Sequence, residues 1–414
     1  MFQAKETLPI PRGAGSSPPI SHSPSLFVPL LLMAAGATVA ASATRTASAF
    51  WEPLVSPTHS DLRGVSAPSD GIAWASGTKG AFLRTGDGGK TWTAGAVPGA
   101  ETLDFRDIEA FDLRSAVIMS AGPGSASRIY RTTDGGAHWD LALENPDQPK
   151  GFFDAIAFWD RSRGLALGDP VDGRFVLFAT EDGGSHWTRI PPEGLPPALA
   201  GEGAFAASGT CLTVGPDGRA WFGTGGGGAA GRIFRSEDRG RTWRAELSGI
   251  PASTESSGVF SLTFRDALYG IAVGGDYRVP RGSAPSIART EDGGATWSAA
   301  APAPMSPYYS AVSLVPGTDP PVLVATGPTA TAWSADGGRT WNGGELAAEV
   351  AYNATAFSGP LFGWAVGPGG NLGRFSQHIS AGWSRKKAKK AESREGSGPA
   401  PVARSIPPNS GALR

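Results

Sequence analysis

One eight-residue phrase constrains this chain more than anything else in it: Thr290-Glu291-Asp292-Gly293-Gly294-Ala295-Thr296-Trp297, which occurs in six variant copies. The others run Thr85 to Trp92 (TGDGGKTW), Thr132 to Trp139 (TTDGGAHW), Thr180 to Trp187 (TEDGGSHW), Ser236 to Trp243 (SEDRGRTW) and Ser334 to Trp341 (SADGGRTW). Successive copies begin 47, 48, 56, 54 and 44 residues apart. Such a period marks a chain assembled from copies of one small unit, so a single large domain is expected despite the length of 414 residues.

Each position suits a tight hairpin turn. The Asp carboxylate and the Ser/Thr hydroxyl can accept hydrogen bonds from turn N–H groups that would otherwise go unpaired. Gly supplies the positive φ of a tight connection. Trp begins the next strand with a large apolar area to bury. Structural roles are therefore assigned to Asp87, Asp134, Asp182, Asp238, Asp292 and Asp336, and to Trp92, Trp139, Trp187, Trp243, Trp297 and Trp341. The 59 glycines and 35 prolines fit many short strands joined by turns and argue against long helices.

The phrase resembles the Asp-box, or bacterial neuraminidase repeat. Ile287-Ala288-Arg289-Thr290 leading into a box, and Gly363-Trp364-Ala365-Val366-Gly367 ahead of where another would stand, resemble more specifically the bacterial relatives of the photosystem II stability/assembly factor family. The similarity runs from about Trp51 to Phe375. It implies an all-β propeller with one box per blade, on the turn between the third and fourth strands. Six units carry a box: 61–95, 105–143, 152–190, 204–246, 258–300 and 308–344. A seventh, 352–377, ends at Gly373-Arg374-Phe375 without one. Phe50-Trp51-Glu52-Pro53-Leu54-Val55 resembles a strand that follows a box, and is the expected donor of the missing outer strand. Seven blades closed by strands from both ends leave no open sheet edge at the seam. The propeller is placed at 50–378.

Outside it, residues 1–49 read as a disordered Pro/Ser/Gly leader followed by a signal peptide or N-terminal anchor. The apolar stretch from Leu26 ends at Ala41-Ser42-Ala43 and Ala47-Ser48-Ala49, both like signal-peptidase sites. An extracytoplasmic protein, periplasmic or secreted, is expected. Residues 379–414 read as a disordered basic tail around Arg385-Lys386-Lys387-Ala388-Lys389-Lys390. The formal charge of -1 is uneven: +2 on residues 1–50, +6 on 381–414, and therefore -9 on the body between them. An acidic body argues against nucleic acid as a partner.

If the boxes are third-to-fourth strand turns, ligand loops belong on the opposite face. That face gathers the starts of the innermost strands, with Arg63, Arg106, Asp107, Asp154, Glu202, Tyr308, Tyr309 and Asn353, and the second-to-third strand loops, with Asp169 and Asp276. Arg63, Arg106, Tyr308, Tyr309 and Asn353 are the candidate partner-binding residues. Asp107, Asp154, Asp169, Glu202, Asp276 and Tyr308 are the candidates if the mouth is a glycosidase pocket, which needs an acid and a base or nucleophile. Sialidase-like enzymes carry Arg-Ile-Pro ahead of the first box, whereas Arg189-Ile190-Pro191 here follows the third and reads as strand and linker.

No metal or other cofactor is expected: the five histidines are scattered and two of them, His138 and His186, sit in boxes. Cys211, the single cysteine, is expected to be a small buried hydrophobe. Gly223 to Gly228 lacks the Lys-Ser/Thr of a phosphate loop. The resemblance implies a monomeric scaffold that binds a protein or peptide, a membrane protein being the family's kind of partner. Carbohydrate binding or glycoside hydrolysis is the alternative.

Overall fold

The structure, a computed structural model, describes residues 50–282, 285–300, 307–345 and 350–376. The expected signal or anchor (1–49), the basic tail (379–414) and residues 377–378 lie outside the described residues.

Among the described residues the strands form seven four-stranded antiparallel sheets. Six are consecutive in the chain: blade 1 (62–96), blade 2 (105–144), blade 3 (153–189), blade 4 (212–251), blade 5 (257–299) and blade 6 (311–345). Blade 7 combines Ala354–Gly359, Phe362–Val366 and Leu372–Phe375 with the N-terminal strand Trp51–Pro53. Trp51 pairs with Phe375 and Pro53 with Gly373. This is the expected ring closure, and the Trp51 indole reinforces it by donating to the Thr331 hydroxyl of blade 6 at 3.1 Å.

Sheets stacked face to face bury both sides of their middle strands, which is why these read as unbroken apolar runs. Ala116–Ser120 and Val322–Thr326 are buried at every position, whereas the outer strand Thr188–Arg189 is wholly exposed. Seven clusters of apolar side chains lie one at each junction between neighbouring blades, including Leu62, Ala75 and Leu83 of blade 1 against Ala354, Val366 and Leu372 of blade 7.

The six boxes share one hydrogen-bond pattern. In the fifth, Asp292 Oδ1 accepts from the Thr296 N–H at 2.9 Å and the Thr290 hydroxyl at 2.8 Å, while Oδ2 accepts from the Thr296 hydroxyl at 2.6 Å. Thr290 Oγ1 in turn accepts from the Gly294 N–H at 2.9 Å. Where His138 and His186 replace the Thr, ring Nδ1 sits 2.6 Å from the Asp Oδ2 and fills the same place. The second Gly of each box does more than turn the chain. A Cβ on it would press into the preceding blade: Gly136 on Phe82 at 2.5 Å, Gly184 on Val117 at 2.8 Å, Gly240 on Leu165 at 3.1 Å, Gly338 on Ile271 at 2.4 Å. The box Trp lies at the same junction, as where Trp139 stands 5.3 Å from the Phe82 ring. Each box is thus a turn and a blade-to-blade contact at once.

Candidate functional site

In a four-stranded antiparallel blade the innermost strand starts on the face away from the third-to-fourth turn. Innermost-strand starts and second-to-third loops therefore share a face opposite the boxes, and the candidate residues collect there. Blade 4 departs from the expected layout. Its unit was placed from residue 204, but its innermost strand is only Leu212–Val214. The segment before it, Ala204 to Cys211, leaves the sheet and reaches other blades.

Ala204 N–H donates to Asp169 Oδ1 of blade 3 at 2.9 Å, and Ala206 O accepts from Arg106 Nη1 of blade 2 at 3.0 Å. Ser208 donates to Ser310 O beside blade 6 at 2.8 Å, and Thr210 bonds the Ser261 hydroxyl of blade 5 at 2.6 Å. A segment touching blades 2, 3, 5 and 6 lies on the axis of the ring. We call it the strap; it bridges these four blades. Its composition, Ala-Phe-Ala-Ala-Ser-Gly-Thr-Cys, explains why it fits: mostly small side chains pass through the crowded axis. Gly209 adopts φ +77° and a Cβ there would stand 2.1 Å from the Asp107 carboxylate.

Arg63, Arg106 and Tyr308 lie within one another's electrostatic reach. Arg106 is committed: Nε pairs with Asp104 Oδ2 at 2.7 Å and Nη1 holds Ala206 O. Arg63 is partly buried, and its Nε is sealed from solvent without a hydrogen-bond partner among the described residues. Burial, then the nearby Arg106, lowers its pKa, against the opposing pull of Asp104, Asp61 and Tyr308. Tyr308 is 6 % exposed, and burial pushes its hydroxyl well above the ordinary tyrosine value despite the field of Arg63. It stands edge-on to Phe260, ring centroids 4.8 Å apart, and Phe260 stacks on Phe205 of the strap at 3.8 Å. Half-buried Tyr277 completes this cluster, which is separate from the seven blade junctions. Phe205, Phe260, Tyr277 and Asp104 were not singled out in the sequence. Phe260 lies in the first half of the innermost strand Ser257–Phe264 and Tyr277 directly follows Asp276, so face logic applied to apolar residues finds both.

The remaining candidates take structural places. Tyr309, expected at the mouth, is packed in the junction between blades 5 and 6. Asn353, also expected there, donates its amide to Leu62 O at 2.8 Å and ties blade 7 to blade 1. Asp107 accepts from the Ile156 N–H at 2.7 Å and lies beneath the strap, where burial raises its pKa well above the carboxylate range. Asp154 is fully buried, and together with Asp107 and Asp169 it acts electrostatically on Cys211, itself buried as expected. Glu202 is engaged by Arg232 through both oxygens and by the Thr224 hydroxyl at 2.6 Å. Asp276 accepts from the Arg278 N–H at 2.9 Å and the Thr254 hydroxyl at 3.1 Å. Exposures of 6 %, 0 % and 5 % put Asp107, Asp154 and Glu202 inside the protein rather than across an open pocket.

Among the described residues no group of three or more His, Cys, Asp or Glu is placed to hold a metal, and no helix is long and apolar enough to cross a membrane. No curated protein sequence matches the chain. Among solved structures, a YCF48 bound to D1 peptide is 18 % identical with TM-score 0.54, covering 79 % of this chain and 95 % of that one. YCF48 from Cyanidioschyzon merolae is 19 % identical with TM-score 0.56, covering 80 % and 99 %. The WD40 propeller domain of Doa1 aligns with TM-score 0.51 at 10 % identity over 79 % and 97 %, so likeness of this degree carries the fold alone. In sequence, residues 122–293, from the loop between the second and third strands of blade 2 into the fifth box, match the family of the photosynthesis system II assembly factor YCF48, on a chain whose seven-bladed fold is the one YCF48 has.

Proposed function

We propose that this chain is an extracytoplasmic, non-enzymatic scaffold that holds a peptide segment of a protein partner at its mouth, in the manner of an assembly factor for a membrane protein. One observation carries the reading: the Nε of half-buried Arg63 is sealed from solvent with no acceptor among the described residues, and burial lowers the pKa of the group. Removing a cation from water without a partner is unfavourable by several kcal/mol. Such a group is retained where a ligand supplies the missing anion. The solved YCF48 with a D1 peptide supports a peptide as the kind of ligand. The apolar stretch from Leu26 and its Ala-Ser-Ala ends support export.

The test is affinity capture from detergent-solubilised envelope fractions, with the chain from Phe50 onward as bait and Arg63→Gln as control. A membrane protein recovered by the unmodified bait and lost with the variant is the expected result. Equal recovery by both baits overturns the placement of the site. A glycan array bound by the chain with no protein recovered favours the carbohydrate alternative. N-terminal sequencing of the exported protein checks cleavage near Ala43 or Ala49.

A further inference from the structure

We propose that the mouth selects a single carboxylate, clasped between the Arg63 guanidinium and the Tyr308 hydroxyl, on a peptide whose adjacent residue is aliphatic or aromatic. This rests on the peptide-binding reading and specifies its ligand.

The charge at the mouth is the first argument. Two guanidiniums meet there, but Arg106 is neutralised by Asp104 at 2.7 Å and its Nη1 supports the strap. Arg278, on the loop beside Tyr308, is paired with Glu255 at 2.6 Å. Arg63 is the cation left with neither an ion pair nor a hydrogen bond among the described residues. Asp104 and Asp61 offset its charge without pairing with it, and one open guanidinium matches one carboxylate. A phosphoryl group carries nearly two negative charges and three acceptor oxygens, and calls for a cluster of cations.

The second argument is the hydroxyl. Tyr308 makes no side-chain hydrogen bond among the described residues, and burial keeps its proton in place, so it remains a donor through the physiological range. Arg63 and Arg106 both act on it electrostatically, so the hydroxyl lies within the field of the open guanidinium. An aromatic ring alone would serve the cluster with Phe260, so the hydroxyl is left for a ligand oxygen.

The third is the apolar ground next to this pair. Tyr308 N–H donates to Pro280 O at 3.1 Å, which fixes the loop carrying Tyr277 and Val279 against it. Val279 is 56 % exposed, and half-buried Tyr277 stands with its ring 6.2 Å from that of Phe260. An extended peptide that places its carboxylate on Arg63 sets the neighbouring side chain over this loop. Arg106 is a positioning residue here, through Ala206 O and the strap that carries Phe205 under Phe260.

The experiment is a fluorescence-polarisation titration of the intact chain with labelled ten-residue Gly/Ser peptides bearing Leu-Glu, Leu-Gln, Ala-Glu or Leu-phosphoserine at the centre. With the unmodified chain, Leu-Glu binds about tenfold tighter than Leu-Gln, as a charge-assisted pair to a desolvated Arg allows. That ratio falls to about one in Arg63→Gln and by a few-fold in Tyr308→Phe, which keeps the ring and removes the hydroxyl. Val279→Ser weakens Leu-Glu but not Ala-Glu. An unchanged Glu/Gln ratio in both Arg63→Gln and Tyr308→Phe overturns the proposal, as does preference for phosphoserine. Failure of the Leu-Glu peptide to bind at millimolar concentration, while the capture experiment still recovers an Arg63-dependent partner, overturns this inference and leaves the peptide-binding reading standing. Loss of both removes the reading itself. Melting temperatures of the variants within about two degrees of the unmodified chain exclude misfolding; if Arg63→Gln fails this check, Arg63→Lys replaces it, with the Glu/Gln ratio reduced rather than abolished.

Discussion

The two adjacent glycines of a box separate two roles that the sequence presents as one. In the sixth box Gly337 and Gly338 both have positive φ, +74° and +84°. A Cβ at Gly337 would meet nothing within 4 Å, whereas one at Gly338 would stand 2.4 Å from Ile271 Cδ1 and 3.3 Å from Leu323 Cδ1. Gly337→Ala therefore carries only the strain of a left-handed L-residue, about 1–2 kcal/mol. Gly338→Ala carries the same strain plus overpacking against two buried side chains, which adds about 1–3 kcal/mol. With an unfolding entropy near 0.7 kcal/mol per degree for roughly 320 ordered residues, these become losses of about 2 °C and about 3–7 °C in Tm. The fourth box already contains the tolerated substitution: Arg239 occupies the first position at φ +60°, while Gly240 keeps the second. Thermal unfolding of the two variants, followed by circular dichroism, measures the difference. Equal losses, or a larger one at Gly337, refute the claim that the second glycine is a blade-to-blade contact.

The box carboxylate makes a separate contribution: Asp292→Asn, which removes the charge behind three hydrogen bonds, is expected to cost about 1–2 kcal/mol in chemical denaturation without altering ligand binding. Asp182 adds an acid-side dependence. Burial alone would raise its pKa, but bonds from the ring and N–H of His186 and from the Thr180 hydroxyl outweigh it and hold the carboxyl at about 2. Its contribution is present above the ordinary Asp value near 4 and is lost as pH falls through about 2, a loss that Asp182→Asn abolishes in pH-dependent unfolding. Glu109 has the opposite sign: burial lifts it to about 7, so stability falls as pH rises from about 4.5 to 7 and is flat above. Glu109→Gln should then stabilise the chain at pH 8, by at most about 3 kcal/mol because the side chain keeps partial exposure, and leave it unchanged at pH 4. Asn353→Ala, which cuts the tie to Leu62 O, should lose about 1 kcal/mol with no change in peptide affinity.

Much of the fold is legible because its signals are local. A box fixes a turn within eight residues, and six boxes with one missing fix the number of blades and the need for a donor strand at the other end. The mouth is legible only in part. Arg63 and Arg106 follow from the face on which innermost strands begin. Tyr308 and Tyr309 are neighbours in sequence, yet consecutive residues on an extended segment point to opposite sides, and one joins the mouth cluster and the other a blade junction. Asn353 and Glu202 find their partners far along the chain, 291 residues away at Leu62 and 30 residues on at Arg232, and nothing local marks such pairs. The strap escaped because its apolar start resembles the beginnings of the true innermost strands. Only the bonds it makes to four other blades distinguish it.

The seam between Trp51 and Phe375 also sets a timetable. A chain emerging from the ribosome releases Trp51 before any blade exists, and its pairing partner follows 324 residues later. Blades 1 to 6 can each fold as they appear, but blade 7 has three strands of its own and waits for the first one made. Until then the flanks of blades 1 and 6 and the edge at Leu372–Phe375 stand open, the interval in which such a protein is most exposed to aggregation. The first strand of the ring to be made is the last to be placed, so folding of the ring ends as a single long-range event after synthesis of the body is complete.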